Sequence, residues 1–159
     1  MGAKAETLAR EFEGKVGEAA AVLTKLSPDD WKKVTTAEKW PVGVTAHHLA
    51  SAFEPVVGIV TGIVAGRPPR NFTRAMLDEL NAQHARDHAD CTKAETIGLL
   101  EEKAKAAARV VRGLTDEDLA RSATVFTDAP PMTAEAMIQG ALIRHVDEHL
   151  GSIRKTVGM

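Results

Sequence analysis

The chain has 159 residues and a formal net charge of −2, so it lacks the basic excess of nucleic-acid-binding surfaces. Hydrophobic residues make up 44% of the chain, but aromatic residues only 4%, which favours closely packed helices over a β-sandwich. The length predicts one domain spanning residues 1–159. One cysteine, Cys91, excludes an internal disulfide framework and predicts a reducing, cytoplasmic location. The apolar run from Val56 to Ala65 is too short for a membrane span, and no signal peptide is visible.

Hydrophobic periodicity predicts four principal helices and no convincing strand. In chain order these helices cover about residues 3–25, 44–65 and 92–112, and a final stretch that Thr133 caps. Shorter helices are expected after Ser27, over about residues 73–88 and after Thr115, while the loop 122–132 has room for a small hairpin. The expected fold class is therefore all-α, a bundle with short extra helices in its connections.

The most informative feature is a pair of histidines near the end of the chain. His145 and His149 have i,i+4 spacing, so on a helix both imidazoles project from the same face. The same face carries Ile138, Leu142 and Ile153, residues that a core-facing helix uses for packing. Two buried imidazoles need partners, and a shared cation satisfies both. The pair therefore indicates a metal site.

A third imidazole is expected from the doublet His47-His48 in the second principal helix. His48 shares its helical face with the apolar residues Val44 and Ile59, whereas His47 shares a more polar face that includes Ser51. Periodicity therefore favours His48 as the third ligand, with His47 as the alternative. Imidazole ligands suit divalent transition metals, of which zinc or nickel is expected first. Three protein ligands leave a coordination position open for water or substrate, as in catalytic sites.

Other residues give weaker signals. Trp40, Asn81 and His84 are candidates for lining a pocket beside the metal. His84 forms a second i,i+4 pair with His88, but His88 falls in the last turn of a helix, where an imidazole favourably opposes the helix dipole. A structural role therefore explains His88 without a ligand function. Cys91 lies at a helix break, where we expect an inert or exposed thiol rather than a ligand.

Four segments, taken in order and spacing, resemble the DinB-like superfamily. They are Trp40-Pro-Val-Gly-Val-Thr-Ala-His-His-Leu49, Leu77-Asp-Glu-Leu-Asn-Ala-Gln-His84, Leu114-Thr-Asp-Glu-Asp-Leu119 and Arg144-His-Val-Asp-Glu-His-Leu150. The superfamily includes damage-inducible proteins and relatives of mycothiol-dependent maleylpyruvate isomerase and bacillithiol transferases. The resemblance extends from about Leu8 to Thr156.

The resemblance implies a four-helix bundle, often dimeric, with a divalent metal held by His48, His145 and His149. It also implies that the metal activates a low-molecular-weight thiol. We therefore expect a metal-dependent thiol S-transferase or hydrolase that acts on a small-molecule substrate. The alternative is a non-catalytic metal- or ligand-binding bundle with a stress-response or sensor role. The expected protein partner is a second copy of the chain, in a homodimer, with no nucleic acid and no membrane.

Overall fold

The computed structural model describes residues 2–159, and over this range the chain is mostly helical, which confirms the all-α class. The α-helices are α1 (Ala3–Lys25), α2 (Pro28–Lys32), α3 (Val42–Val64), α4 (Arg74–Asp87), α5 (Lys93–Arg112), α6 (Asp116–Ala120), α7 (Ala134–Met137) and α8 (His145–Val157). A π-helical segment, Ile138–Arg144, joins α7 to α8. Strands β1 (Ser122–Ala123) and β2 (Met132–Thr133) form a small antiparallel hairpin in the loop where one had room to form.

The long helices form a four-helix bundle. Helix α5 packs against both α1 and α3, and the last helix, from α7 through the π-helical segment to α8, packs against the same two. Helices α1 and α3 are therefore diagonal to each other, with α5 and the last helix between them. At the centre, the buried rings of Phe12 and Phe53 meet edge to face, with centroids 5.0 Å apart. This geometry is favourable for aromatic pairs and adds to the burial of their apolar surface.

Side-chain caps explain where several helices begin. Three capping boxes are present, at Ser27 with Asp30, Thr92 with Glu95, and Thr115 with Asp118. In each box the hydroxyl accepts from a backbone N–H of the first turn and the acid accepts from the N-cap N–H. Thr133 likewise accepts from the N–H of Ala136. These local contacts confirm the predicted helix starts.

Helix α3 begins at Val42, two residues earlier than predicted, and is held near its start by a close contact. A Cβ atom at Gly43 would overlap the indole of Trp31, so only glycine permits this approach. The Trp31 indole N–H donates to the carbonyl of Cys91 over 3.0 Å, and the Cys91 thiol donates to the carbonyl of Gly43 over 3.3 Å. The start of α3 is thereby tied to the connection between α4 and α5.

Helix α3 is longer than the apolar run from Val56 to Ala65 that the sequence analysis judged too short for a membrane span. The helix is long and apolar enough, with a mean hydropathy of 1.2 over its most apolar window, although core helices of soluble proteins pass the same test. The run that begins at Val56 is only the second part of α3. Thr45, His48 and Phe53 on α3 are buried against the bundle, as in the core helix of a soluble helical domain.

The π-helical segment was not predicted, and it changes which residues of the last helix face the core. A π-helical turn accommodates an extra residue, so a stripe counted at 3.6 residues per turn loses its phase there. Beyond it, the buried stripe consists of Val146, Leu150 and Ile153. His145 and His149 are half-buried on the flank of this stripe, rather than in the core positions that periodicity assigned to them.

The central aromatic pair makes a prediction about stability. Phe12→Ala removes a fully buried ring and leaves a cavity, so we expect the free energy of unfolding to fall by about 3–5 kcal/mol. Urea denaturation followed by circular dichroism measures this change. Glu11→Ala, at the exposed neighbouring position, is the control and should alter stability by less than about 0.5 kcal/mol. Equal stabilities of the two variants would contradict the core assignment.

Candidate metal centre

All six histidines of the sequence lie in two neighbouring groups. The inner group consists of His48 from α3 with His145 and His149 from α8. The outer group consists of His47, His84 and His88. In each group every residue offers a ring nitrogen, and these nitrogens lie within 4.8 Å of one another. Either group could hold a metal ion.

Helix geometry explains how two groups arise from one doublet. Consecutive residues on a helix point about 100° apart, so His47 and His48 leave α3 in different directions. His48 meets the pair His145 and His149 on α8, while His47 meets the side chains at the end of α4. Each partner pair has i,i+4 spacing, which places its two rings one helical turn apart on a common face.

The rings of the inner group approach one another edge to face. The centroid of His48 lies 5.2 Å from that of His145 and 5.0 Å from that of His149, and the latter two are 4.4 Å apart. Within residues 2–159, the buried Nε2 of His145 has no hydrogen-bond partner. A buried polar atom left without a partner costs about 1–3 kcal/mol. A bound cation would remove this penalty, so the donor set fits a transition metal.

Burial keeps two of these imidazoles neutral. Burial, together with the nearby His149, lowers the pKa of His48 to about 3 and that of His145 to about 2. Metal ions bind the neutral form of imidazole, so protons do not compete for these nitrogens near pH 7. The two side chains are therefore ready to act as ligands without a change of charge.

Sequence reasoning missed a carboxylate that lies beside the inner group and contacts one of its rings. Glu38 Oε2 lies 2.7 Å from Nδ1 of His149, and Ser152 donates its hydroxyl to Glu38 Oε1 over 2.5 Å. Burial raises the pKa of Glu38, but hydrogen bonds from Ser152, His149 and Thr35 outweigh it, and the net pKa is lowered. The carboxylate therefore holds the proton of His149 on Nδ1 and leaves Nε2 free as a ligand atom. Because Glu38 lies in the connection before α3, no periodic pattern marks it.

The remaining candidate residues are distributed around both groups. The ring of Trp40 lies 5.2 Å from that of His48, edge to face, and its role as a wall of the site stays a prediction. His84 belongs to the outer group, where its Nε2 is 2.8 Å from Nδ1 of His47. Asn81 is half-buried one turn earlier on α4, and its pocket role stays a prediction.

Two residues expected to be structural behave differently from each other. His88 is the C-cap residue of α4, as its position predicted, but its ring also stacks on His47 with centroids 4.1 Å apart. Cys91 is half-buried and lies outside both groups, and burial raises the pKa of its thiol. A raised pKa reduces the thiolate fraction, which fits the expected inert thiol.

The contact between Glu38 and the inner group can be tested in metal-free protein. Glu38→Ala leaves Nδ1 of His149 and the hydroxyl of Ser152 without their partner, so we expect a loss of about 1–3 kcal/mol in the free energy of unfolding. Urea denaturation in the presence of a chelator measures it. Glu148→Ala removes an exposed acid from the same region and should change stability by less than about 0.5 kcal/mol. No difference between the variants would mean that water replaces Glu38 without penalty.

Comparison with known proteins agrees with this architecture. A family model described as the DinB superfamily matches residues 11–153, which include most of each of the four bundle helices and all six histidines. No curated protein and no solved structure matches the chain significantly. Because the family model covers most of the chain, the protein belongs to the DinB superfamily.

Proposed function

We propose that the inner histidine group binds a divalent transition metal, zinc or nickel, and that the protein is a metal-dependent enzyme. The observation that carries the proposal is the convergence of three imidazoles from two helices, with Nε2 of His145 buried and unpartnered within residues 2–159. Membership of the DinB superfamily, whose members are associated with metals, supports it. Imidazole-only donor sets are typical of transition metals rather than of calcium or magnesium.

In the proposed chemistry, a few residues have separate roles: three bind the ion, one orients a ligand and one forms a wall. A bound ion of this kind supplies Lewis acidity, which lowers the pKa of a water or a thiol and makes it a nucleophile near neutral pH. His48, His145 and His149 would hold the ion, and because imidazole binds a metal in its neutral form, these ligands would leave the ion's charge undiminished. Glu38 orients the ring of His149 through Nδ1. The ring of Trp40 contacts that of His48 edge to face and would form a wall of the site.

The proposed substrate class is a small molecule that reacts with a low-molecular-weight thiol or with water. A surface depression of about 300 Å³ lies beside the Glu38 contact and includes Ser152, Glu148 and Lys155 in its lining. Through Ser152 it adjoins the carboxylate that orients His149. It offers a small polar molecule a place to dock near the inner group. The reaction would be thiol transfer or hydrolysis.

The second candidate is a non-catalytic metal- or ligand-binding bundle with a stress-response or sensor role. One observation favours it, because neither of the two depressions described on the surface includes an inner histidine in its lining. For both candidates we propose a cytoplasmic homodimer without nucleic-acid or membrane partners. The net charge of −2 and the single cysteine support this setting.

Metal binding by the inner group is tested by titrating metal-stripped, untagged protein with Zn²⁺ against a competing chelator. Glu38→Gln should weaken binding at this site about 10–100-fold, because it replaces the carboxylate that orients His149. His145→Ala removes a ligand and should weaken it at least as much. Glu148→Gln is the control and should bind like the unmodified protein. Unchanged affinity in His145→Ala would contradict the ligand assignment.

Catalysis is tested separately by incubating zinc- or nickel-loaded protein with small electrophiles and a series of cofactor thiols, and with ester substrates in water. We expect turnover with at least one pair and none in folded His145→Ala, whose circular dichroism serves as the control. Stoichiometric metal without turnover in any combination would favour the non-catalytic candidate.

A further inference from the structure

The outer histidine group has no part in the function proposed above, although its side chains are arranged much like those of the inner group. From the geometry of His47, His84 and His88, we propose that the protein has a second transition-metal site. The site would take a divalent ion that prefers imidazole nitrogen, such as zinc, nickel, cobalt or copper. Its residues come from α3 and from the C-terminal end of α4.

The three rings of the outer group converge. Their centroid distances are 4.1 Å, 4.5 Å and 4.9 Å, compared with 4.4 Å, 5.0 Å and 5.2 Å in the inner group. Nδ1 of His47 and Nε2 of His84 are 2.8 Å apart. Three nitrogens on three side chains, each within 4.8 Å of the others, match the number of protein ligands in an open zinc site.

Hydrogen bonds within the described residues do not satisfy all the ring nitrogens of the outer group. Nδ1 of His47 lies within hydrogen-bond distance of two atoms at once, Nε2 of His84 at 2.8 Å and the hydroxyl oxygen of Ser51 at 3.2 Å. Within residues 2–159, Nδ1 of His84 is buried without any hydrogen-bond partner. A hydrogen-bonded cluster built for structure alone would pair its buried nitrogens, because each unpaired one costs about 1–3 kcal/mol.

The three rings also lack a directly bonded acid. In the described part of the chain, no carboxylate forms a hydrogen bond or an ion pair with any of them, and Glu95 and Asp87 act on them only from beyond ion-pair distance. No ring nitrogen of the outer group is therefore taken up by a carboxylate and withheld from an ion.

The backbone next to the outer group is held in place. Cys91, in the connection after α4, is anchored to α2 and α3, because its carbonyl accepts from Trp31 on α2 and its thiol donates to the carbonyl of Gly43 on α3. The N–H of Cys91 in turn donates to the carbonyl of His88 over 3.1 Å. The segment carrying His88 is thus held in place by residues outside the group, and less ordering is needed on binding an ion.

The two sites would be close neighbours. His47 and His48 are consecutive, and the ring of His84, in the outer group, lies 5.8 Å from the ring of His48, in the inner group. Six imidazoles would then hold two cations, one on each side of the turn of α3 that carries His47 and His48. This proposal does not depend on catalysis at the inner group, because the two ligand sets share no residue.

The test counts ions and assigns each to a group. Untagged protein is stripped with a chelator, loaded with Zn²⁺ or Co²⁺ and analysed by native mass spectrometry and competition titration. We expect two ions per chain. His88→Ala, which is remote from the inner rings, should weaken one site at least about 10–100-fold, the effect known for loss of a ligand's supporting partner, and leave the other unchanged. His145→Ala should do the reverse.

Gln83→Ala, at an exposed position next to His84, is the matched control and should retain both ions. His84→Ala provides a second variant if His88→Ala fails to fold, as judged by circular dichroism and urea denaturation. One ion per chain, bound with equal affinity in His88→Ala, His84→Ala and the unmodified protein, would overturn the second site and leave the inner site standing. One ion lost in His88→Ala but kept in His145→Ala would support the outer site and contradict the inner one.

Discussion

The position of two consecutive histidines on α3 is the constraint on which both candidate sites depend. Helix α3 packs against α5, α4 and the last helix, so residues around its circumference face different neighbours. His48 faces the pair on α8, and His47 faces the pair at the end of α4. Because adjacent helical residues diverge by about 100°, the doublet supplies one imidazole to each group.

Burial of an imidazole is unfavourable unless its ring nitrogens find hydrogen-bond or metal partners. The described residues supply such partners to only some of the buried rings. One nitrogen of His149 is paired with Glu38, but within residues 2–159 Nε2 of His145 and Nδ1 of His84 remain unpaired. The packing of the bundle maintains these groups, since the large buried apolar set around Phe12 and Phe53 outweighs a few unsatisfied polar atoms. Buried polar atoms without hydrogen-bond partners are characteristic of functional sites rather than of structural cores.

Support around the inner group comes from residues that no ligand motif contains. Glu38 orients His149 and is itself held by Ser152, one turn of α8 further on. The π-helical segment ends immediately before His145 and sets the rotation of α8 relative to the core. Such segments occur often at functional sites, where they turn a side chain away from the direction that regular helical phase would dictate. The proposed chemistry therefore relies on backbone and connection features as much as on the three imidazoles.

The sequence by itself determined the local structure: the all-α class, the helix starts at capping residues such as Thr92 and Thr133, and the two i,i+4 histidine pairs. Hydrogen bonds within a helical turn and hydrophobic periodicity are short-range, so a single sequence contains them. Only the tertiary structure decided that His84 and His88 meet His47 and that Glu38 reaches His149, because these contacts depend on how helices and connections pack. It also moved His145 and His149 to the flank of the buried stripe, since the π-helical segment shifts the phase on which the periodicity argument relied.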